Sequence, residues 1–210
     1  MNAGTSVDAL WLATLNQIAG RAAHELKGAL NGVAVNIEVV RSRAEKPDAA
    51  ASAVRMFANA AAEQLDSVIV MSEALLLLSR PGRSPVDVGR LVRSMGSLLI
   101  PAARADGREL QIEGTLEDVG STSADANVAR AVVGCALLAA VDAASRVVVR
   151  DASSDRRSSE SGSGVGALRI ELAEGASAAP ALGADIIAAA DAEGIRIAAE
   201  PSAIFISFPR

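Results

Sequence analysis

The chain has 210 residues, a net charge of −5 and a hydrophobic content of 50% with only 2% aromatic residues, so its core would consist of aliphatic side chains. This length allows one or two domains. The acidic balance argues against a nucleic-acid surface. One cysteine and one histidine exclude an internal disulfide and most metal sites. Because no signal sequence or run of roughly 20 apolar residues is present, we expect a soluble cytoplasmic protein without membrane contact.

Two long amphipathic helices are predicted in residues 1–82. Apolar residues recur with helical spacing over 7–42 and again to about Ser79, after a break in which Asp48 can act as an N-cap. A short connection makes such helices an antiparallel hairpin. Each helix carries an apolar stripe that one hairpin leaves partly uncovered. We therefore expect two hairpins to form a four-helix bundle in a homodimer.

Residues 83–210 predict a mixed α/β domain with one sheet and helices on one face. Asp87 can cap a helix that reaches about Ala105, and Pro101 is expected to kink or shorten that helix. Further helices are predicted over 125–144 and 180–193, a loop over 151–166, and strands over 109–113, 146–150, 168–172, 195–197 and 203–208. The fold class expected for the whole chain is a helical hairpin domain followed by this α/β domain.

The single histidine, His24, lies in the first helix opposite its apolar stripe. At about 100° per residue, the stripe consists of Trp11, Leu15, Ile18, Ala22, Leu26, Leu30, Val33, Ile37 and Val40. His24 is therefore expected to be exposed, beside Glu25, on a face that also carries Gln17, Gly20, Gly28 and Asn31. Glycine inside a helix costs about 1 kcal/mol relative to alanine. These glycines either clear space for a docking partner or let the helix bend and pack closely.

A family resemblance rests on the run His24-Glu25-Leu26-Lys27-Gly28-Ala29-Leu30-Asn31. It resembles the phosphoacceptor box of bacterial sensor histidine kinases, usually His-Glu-Leu-Arg/Lys-Asn-Pro-Leu, and the order of elements is similar over nearly the whole chain. The departures fall in the ATP site. The kinases' metal-holding asparagines correspond to Cys135 and Ala139, their Asp-x-Gly-x-Gly motif corresponds to residues 174–178, and the glycine-rich lid is almost absent. The resemblance therefore implies a degenerate kinase-like domain that no longer binds ATP.

This pattern is similar to that of bacterial histidine phosphotransferases built as degenerate kinases. The resemblance implies that His24 accepts a phosphoryl group from one response-regulator receiver domain and donates it to another. Glu25 would fix the imidazole tautomer, and Mg²⁺ would come with the receiver, so no cofactor or metal is expected on this chain. The expected docking residues are Gln17, Gly20, Lys27, Gly28 and Asn31. Two alternatives stay open: a receiver-binding scaffold without chemistry, and an ATP-dependent histidine kinase with a divergent site.

Overall fold

A computed structural model describes residues 6–46, 50–152, 166–173 and 180–210. The chain begins with helices α1 (Val7–Ala44) and α2 (Ala51–Ser79), which form an antiparallel hairpin. The Ser6 side chain caps α1 by accepting a hydrogen bond from the Ala9 backbone N–H. Ala50 occupies the N-cap position of α2 without a side-chain cap, and the predicted cap Asp48 lies outside the described residues.

The rest of the described chain combines three helices with seven strands. In chain order these are β1 (Val86–Asp87), α3 (Val88–Ala105), β2 (Glu109–Ile112), β3 (Ser121–Thr122), α4 (Ala126–Ala143), β4 (Arg146–Asp151), β5 (Gly166–Leu172), α5 (Ala184–Ala192), β6 (Arg196–Glu200) and β7 (Ala203–Phe208). Five strands form a mixed sheet in the order β2-β4-β5-β7-β6, in which only β2 and β4 pair in parallel. The predicted fold class, a helical region followed by a mixed α/β region, is confirmed.

Several details differ from the sequence expectations. Strand β6 runs from Arg196 to Glu200 rather than over 195–197, and most of the loop predicted over 151–166 lies outside the described residues. Helix α3 reaches its predicted end at Ala105, so Pro101 does not shorten it, because buried side chains on both sides of the proline hold that part of the helix against the core. Helix α5 begins at Ala184 rather than at residue 180, after Gly183 in an extended N-cap conformation. The short β1–β3 pair was not predicted, since two-residue strands have no hydrophobic alternation to detect.

The helices cover one face of the five-stranded sheet, as expected. Along β5, Leu168, Ile170 and Leu172 are buried with the helices in a single core. Arg169 and Glu171 alternate with them and point to the opposite face, where their side chains pair at 3.0 Å. This alternation places the hydrophobic core between the sheet and helices α3 and α4.

The same core extends into the hairpin. Trp11 and Ile18 of α1, and Met71 and Leu78 of α2, are buried in one cluster with side chains of α3 and α4. The domain boundary predicted after residue 82 falls in the connection between α2 and β1, and it stays a prediction. Among the described helices, α4 alone is long and apolar enough to cross a bilayer, and 67% of it is buried, as in the core helix of a globular domain.

Candidate functional site

His24 lies near the middle of α1 with its side chain exposed. The structure brings the five predicted docking residues onto the exposed surface of the same helix: Gln17, Gly20, Lys27, Gly28 and Asn31. Glu25, next to the histidine, is half-buried. Trp11, Ile18 and Ala22 occupy the inward face of α1, which turns His24 away from the core.

The two glycines beside His24 leave open space. A Cβ atom added at Gly20 or Gly28 would meet no other atom within 4 Å. Neither glycine is therefore needed for close packing of α1 against the described parts of the chain. Each instead leaves a position without a side chain about one turn from His24, so no side chain projects from the helix at these two positions beside the imidazole. This geometry suits an approaching protein surface, and the docking role of the glycines stays a prediction.

The expected hydrogen bond between Glu25 and the His24 ring is not seen in the described structure. Within the described residues, neither side chain makes a hydrogen bond or an ion pair. Adjacent residues on a helix point about 100° apart and do not face each other. The role of Glu25 in fixing the imidazole tautomer therefore stays a prediction, and both ring nitrogens of His24 are open to a reacting group.

Three polar contacts hold α1 against α4. The Arg21 guanidinium donates two hydrogen bonds to the Asp142 carboxylate, at 2.8 and 2.9 Å. Thr14 Oγ1 lies 3.2 Å from Cys135 Sγ. Near the start of both helices, Asn127 Nδ2 donates to Asp8 Oδ1 at 2.8 Å. Because Arg21 is one turn before His24, this interface fixes the position of the histidine relative to α4.

The interface covers the stripe of α4 where the resemblance places kinase asparagines. Cys135, Ala139 and Asp142 are spaced to lie on one side of this helix. The first and last of them contact α1, and a Cβ atom at Gly134 would lie 2.5 Å from Thr14 Cγ2. Burial raises the pKa of the Cys135 thiol, although the hydrogen bond with Thr14 acts in the opposite direction. The thiol is therefore protonated at neutral pH.

No metal-ligating cluster accompanies this stripe. Across the described ranges, no group of three or more histidine, cysteine or acidic side chains is placed to hold a metal ion. The segment that the resemblance aligns with the adenine-reading motif, 174–178, lies outside those ranges.

A second surface of the hairpin is apolar and uncovered. The α1 stripe is buried at Ile18 and Ala22, but farther along it Leu30 and Ile37 are 51% and 54% exposed. Helix α2 carries three more exposed side chains at helical spacing: Leu65, Ile69 and Leu76. We call these five side chains the hairpin stripe. One chain alone leaves this apolar surface open to water.

No protein-family model and no curated protein matches the chain. Among solved structures, it is similar to the histidine kinase AdeS of Acinetobacter baumannii, with 14% identity and a TM-score of 0.40 over 89% of this chain and 97% of that one. It is also similar to the blue-light activated histidine kinase EL346 of Erythrobacter litoralis, with 15% identity and a TM-score of 0.36 over 83% of this chain and 62% of that one. These similarities are too weak to place the chain in a family.

Proposed function

We propose that the chain is a cytoplasmic histidine phosphotransferase of a two-component phosphorelay. The observation that carries this proposal is the placement of its single histidine, exposed on a long helix between two glycines with open space around them. A nucleophile that reacts with another protein must be reachable without unfolding its own domain. His24 meets this requirement, and the helix holds it in a fixed direction.

The proposed reaction passes a phosphoryl group through His24. A neutral imidazole nitrogen attacks the phosphorus of a receiver's aspartyl phosphate. The N–P bond forms, the P–O bond to the aspartate breaks, and the aspartate leaves as a carboxylate. The reverse reaction, with a second receiver, transfers the group onward. Charge stabilisation of this transfer would come from Mg²⁺ on the receiver.

Docking of the receiver would use the surface around His24. The positive charge of Lys27 lies about one turn from the histidine and would attract the acidic pocket of a receiver. The bare backbone at Gly20 and Gly28 would let a receiver loop approach the imidazole. Gln17 and Asn31 would supply hydrogen-bonding groups at the two ends of this surface.

The α1–α4 interface supports a source of phosphate other than ATP. Phosphoryl transfer from ATP depends on groups that hold metal ions against the phosphates. A protonated Cys135 and an apolar Ala139 supply no such group. The contacts of Thr14 and Arg21 also occupy the same side of α4.

The hairpin stripe supports a homodimer. Two hairpins that bury Leu30, Ile37 and the exposed α2 side chains against each other would form a four-helix bundle. Leu30 and His24 lie about 120° apart around α1, from their spacing on an ideal helix. Dimer formation would therefore leave the surface around His24 open to a receiver.

The test is the discharge of a receiver that carries labelled aspartyl phosphate. We expect the chain to take up the label, and the variant His24→Gln, which keeps a polar side chain without the nucleophile, to take up none. Glu38→Gln, on an exposed part of the same helix, is the matched control and should be labelled like the original chain. A His24→Gln variant that still takes up label would refute the role of His24. A chain that binds the receiver but never takes up label would favour the scaffold alternative.

A further inference from the structure

A cleft between α2 and α3 gathers several arginines. Its larger part is a cavity of about 430 Å³, lined by Val70 and Leu77 of α2, by Arg80 just after it, and by Arg90 and Arg93 in the first turns of α3. A smaller cavity of about 220 Å³ shares Leu77 and Arg90 and adds Arg83 and Arg130. We call the two cavities together the arginine cleft. None of the residues that line it belongs to α1, which carries His24.

Four of the five arginines of this cleft lack carboxylate partners in the described part of the chain; the fifth, Arg130, interacts with Asp125 and donates to the Arg80 backbone carbonyl. Within the described residues, no ion pair involves Arg80, Arg83 or Arg90, and the Arg93 side chain donates to the backbone carbonyl of Thr115. On the open face of the sheet, by contrast, arginines are paired, as in the 2.9 Å contact between Arg150 and Glu171. In a chain of net charge −5, this cleft is therefore a local concentration of unpaired positive charge.

Two carboxylates, those of Asp87 and Glu73, line the cleft and offset only part of the charge of its five arginines. The Asp87 carboxylate accepts the Arg90 backbone N–H at 2.8 Å and thereby caps α3. Glu73 lines the larger cavity beside three arginines. Like charges held together repel each other, which favours binding of an anion. Guanidinium groups in particular bind phosphate through two parallel hydrogen bonds.

The volume and the lining of the cleft favour a small ligand. Pockets for small molecules and cofactors typically enclose about 300–1,000 Å³, and the larger cavity falls in this range. Its wall combines arginine side chains with the apolar surface of Val70 and Leu77. A bare phosphate ion would leave that apolar surface unused, whereas a phosphate attached to an organic ring would cover it.

We propose that the arginine cleft binds a nucleotide-sized organic phosphate, at a site separate from His24. The phosphate groups contact Arg80 and Arg90, and the organic part lies against Val70 and Leu77. Because the cleft is lined by both α2 and α3, the bound ligand connects the hairpin to the sheet region across residues 80–87.

The single tryptophan offers a reporter inside the protein. The guanidinium carbon of Arg130 lies 5.6 Å from the centre of the Trp11 ring, and Arg130 also lines the smaller cavity. Arg130 also donates a hydrogen bond to the Arg80 backbone carbonyl at 2.8 Å, so a phosphate bound by Arg80 changes the contact between Arg130 and Trp11 and with it the emission of Trp11. Calorimetric titration with GDP and with inorganic pyrophosphate, in phosphate-free buffer, measures the affinities directly.

We expect saturable binding of both probes, with GDP bound more tightly because it covers the apolar wall. The double variant Arg80→Gln/Arg90→Gln should bind GDP at least about tenfold more weakly, because hydrogen bonds to charged groups are lost. The matched control is Arg55→Gln/Arg104→Gln, which removes two exposed arginines outside the cleft and should bind GDP normally. Absence of saturable binding, unchanged affinity in the first variant, or equal weakening in both variants would overturn the proposal.

Discussion

Replacing Leu30 and Ile37 together by alanine should dissociate the proposed homodimer and leave each chain folded. The two side chains are 51% and 54% exposed in the single chain, so about half of each is left for a partner to bury. Full burial of such a side chain contributes about 1.5–3 kcal/mol, and the exposed half therefore about 1 kcal/mol. Four half-side-chains, two from each protomer, contribute about 4 kcal/mol, which corresponds to a roughly thousandfold change in Kd.

Sedimentation velocity over a range of protein concentrations measures this change. The matched control is Val35→Ala, which removes an apolar side chain that is 63% exposed but lies about 140° around α1 from Leu30. The control should remain dimeric, and circular dichroism should show both variants folded. A double variant that stays dimeric, or a control that dissociates as readily, would refute the assignment of the hairpin stripe to the dimer interface.

Three further predictions concern α1 and its contact with α4. Gly28→Ala should raise the free energy of unfolding by about 0.5–1 kcal/mol because alanine favours the helix. The same substitution should slow phosphotransfer, and an unchanged transfer rate would exclude a docking role for this glycine. Gly134→Ala should lower the free energy of unfolding in urea by about 1–3 kcal/mol because its Cβ crowds Thr14, and a neutral effect would contradict the α1–α4 contact. Because burial raises the pKa of Cys135, its thiolate should form at higher pH in the folded chain than in the unfolded chain. At pH 8, iodoacetamide should therefore react more slowly with the folded chain than with the urea-unfolded chain. Equal reaction rates would mean that α1 leaves α4.

Elements with strong local signals were predictable from the sequence. Asp87, the predicted cap of α3, accepts the Arg90 backbone N–H, and Asp125, predicted as the first residue of the next helix, caps α4 in the same way. A carboxylate just before an apolar helical pattern predicts the start of such a helix. The exposure of His24 was predictable for a similar reason, since the apolar stripe of α1 fixes which side of the helix turns inward.

The contacts between distant parts of the chain were not predictable in this way. Thr14 and Cys135 are separated by 121 positions, and no sequence pattern near either residue predicts their contact. The same holds for the arginine cleft, whose residues come from α2, α3, α4 and the connection between α2 and β1. Helical periodicity predicted which face of α1 is apolar, but not that the first half of this face packs on α4 while Leu30 and Ile37 in the second half stay exposed.

The most direct test of the proposed phosphotransferase role compares two sources of phosphate for His24. The purified chain is incubated with labelled ATP and Mg²⁺, either alone or with an active sensor kinase and its receiver domain, and the labelled residue is located by mass spectrometry. We expect phosphohistidine at position 24 only in the complete mixture. Label on His24 with ATP and Mg²⁺ alone would contradict the proposed phosphotransferase role and show that the chain itself acts as a kinase.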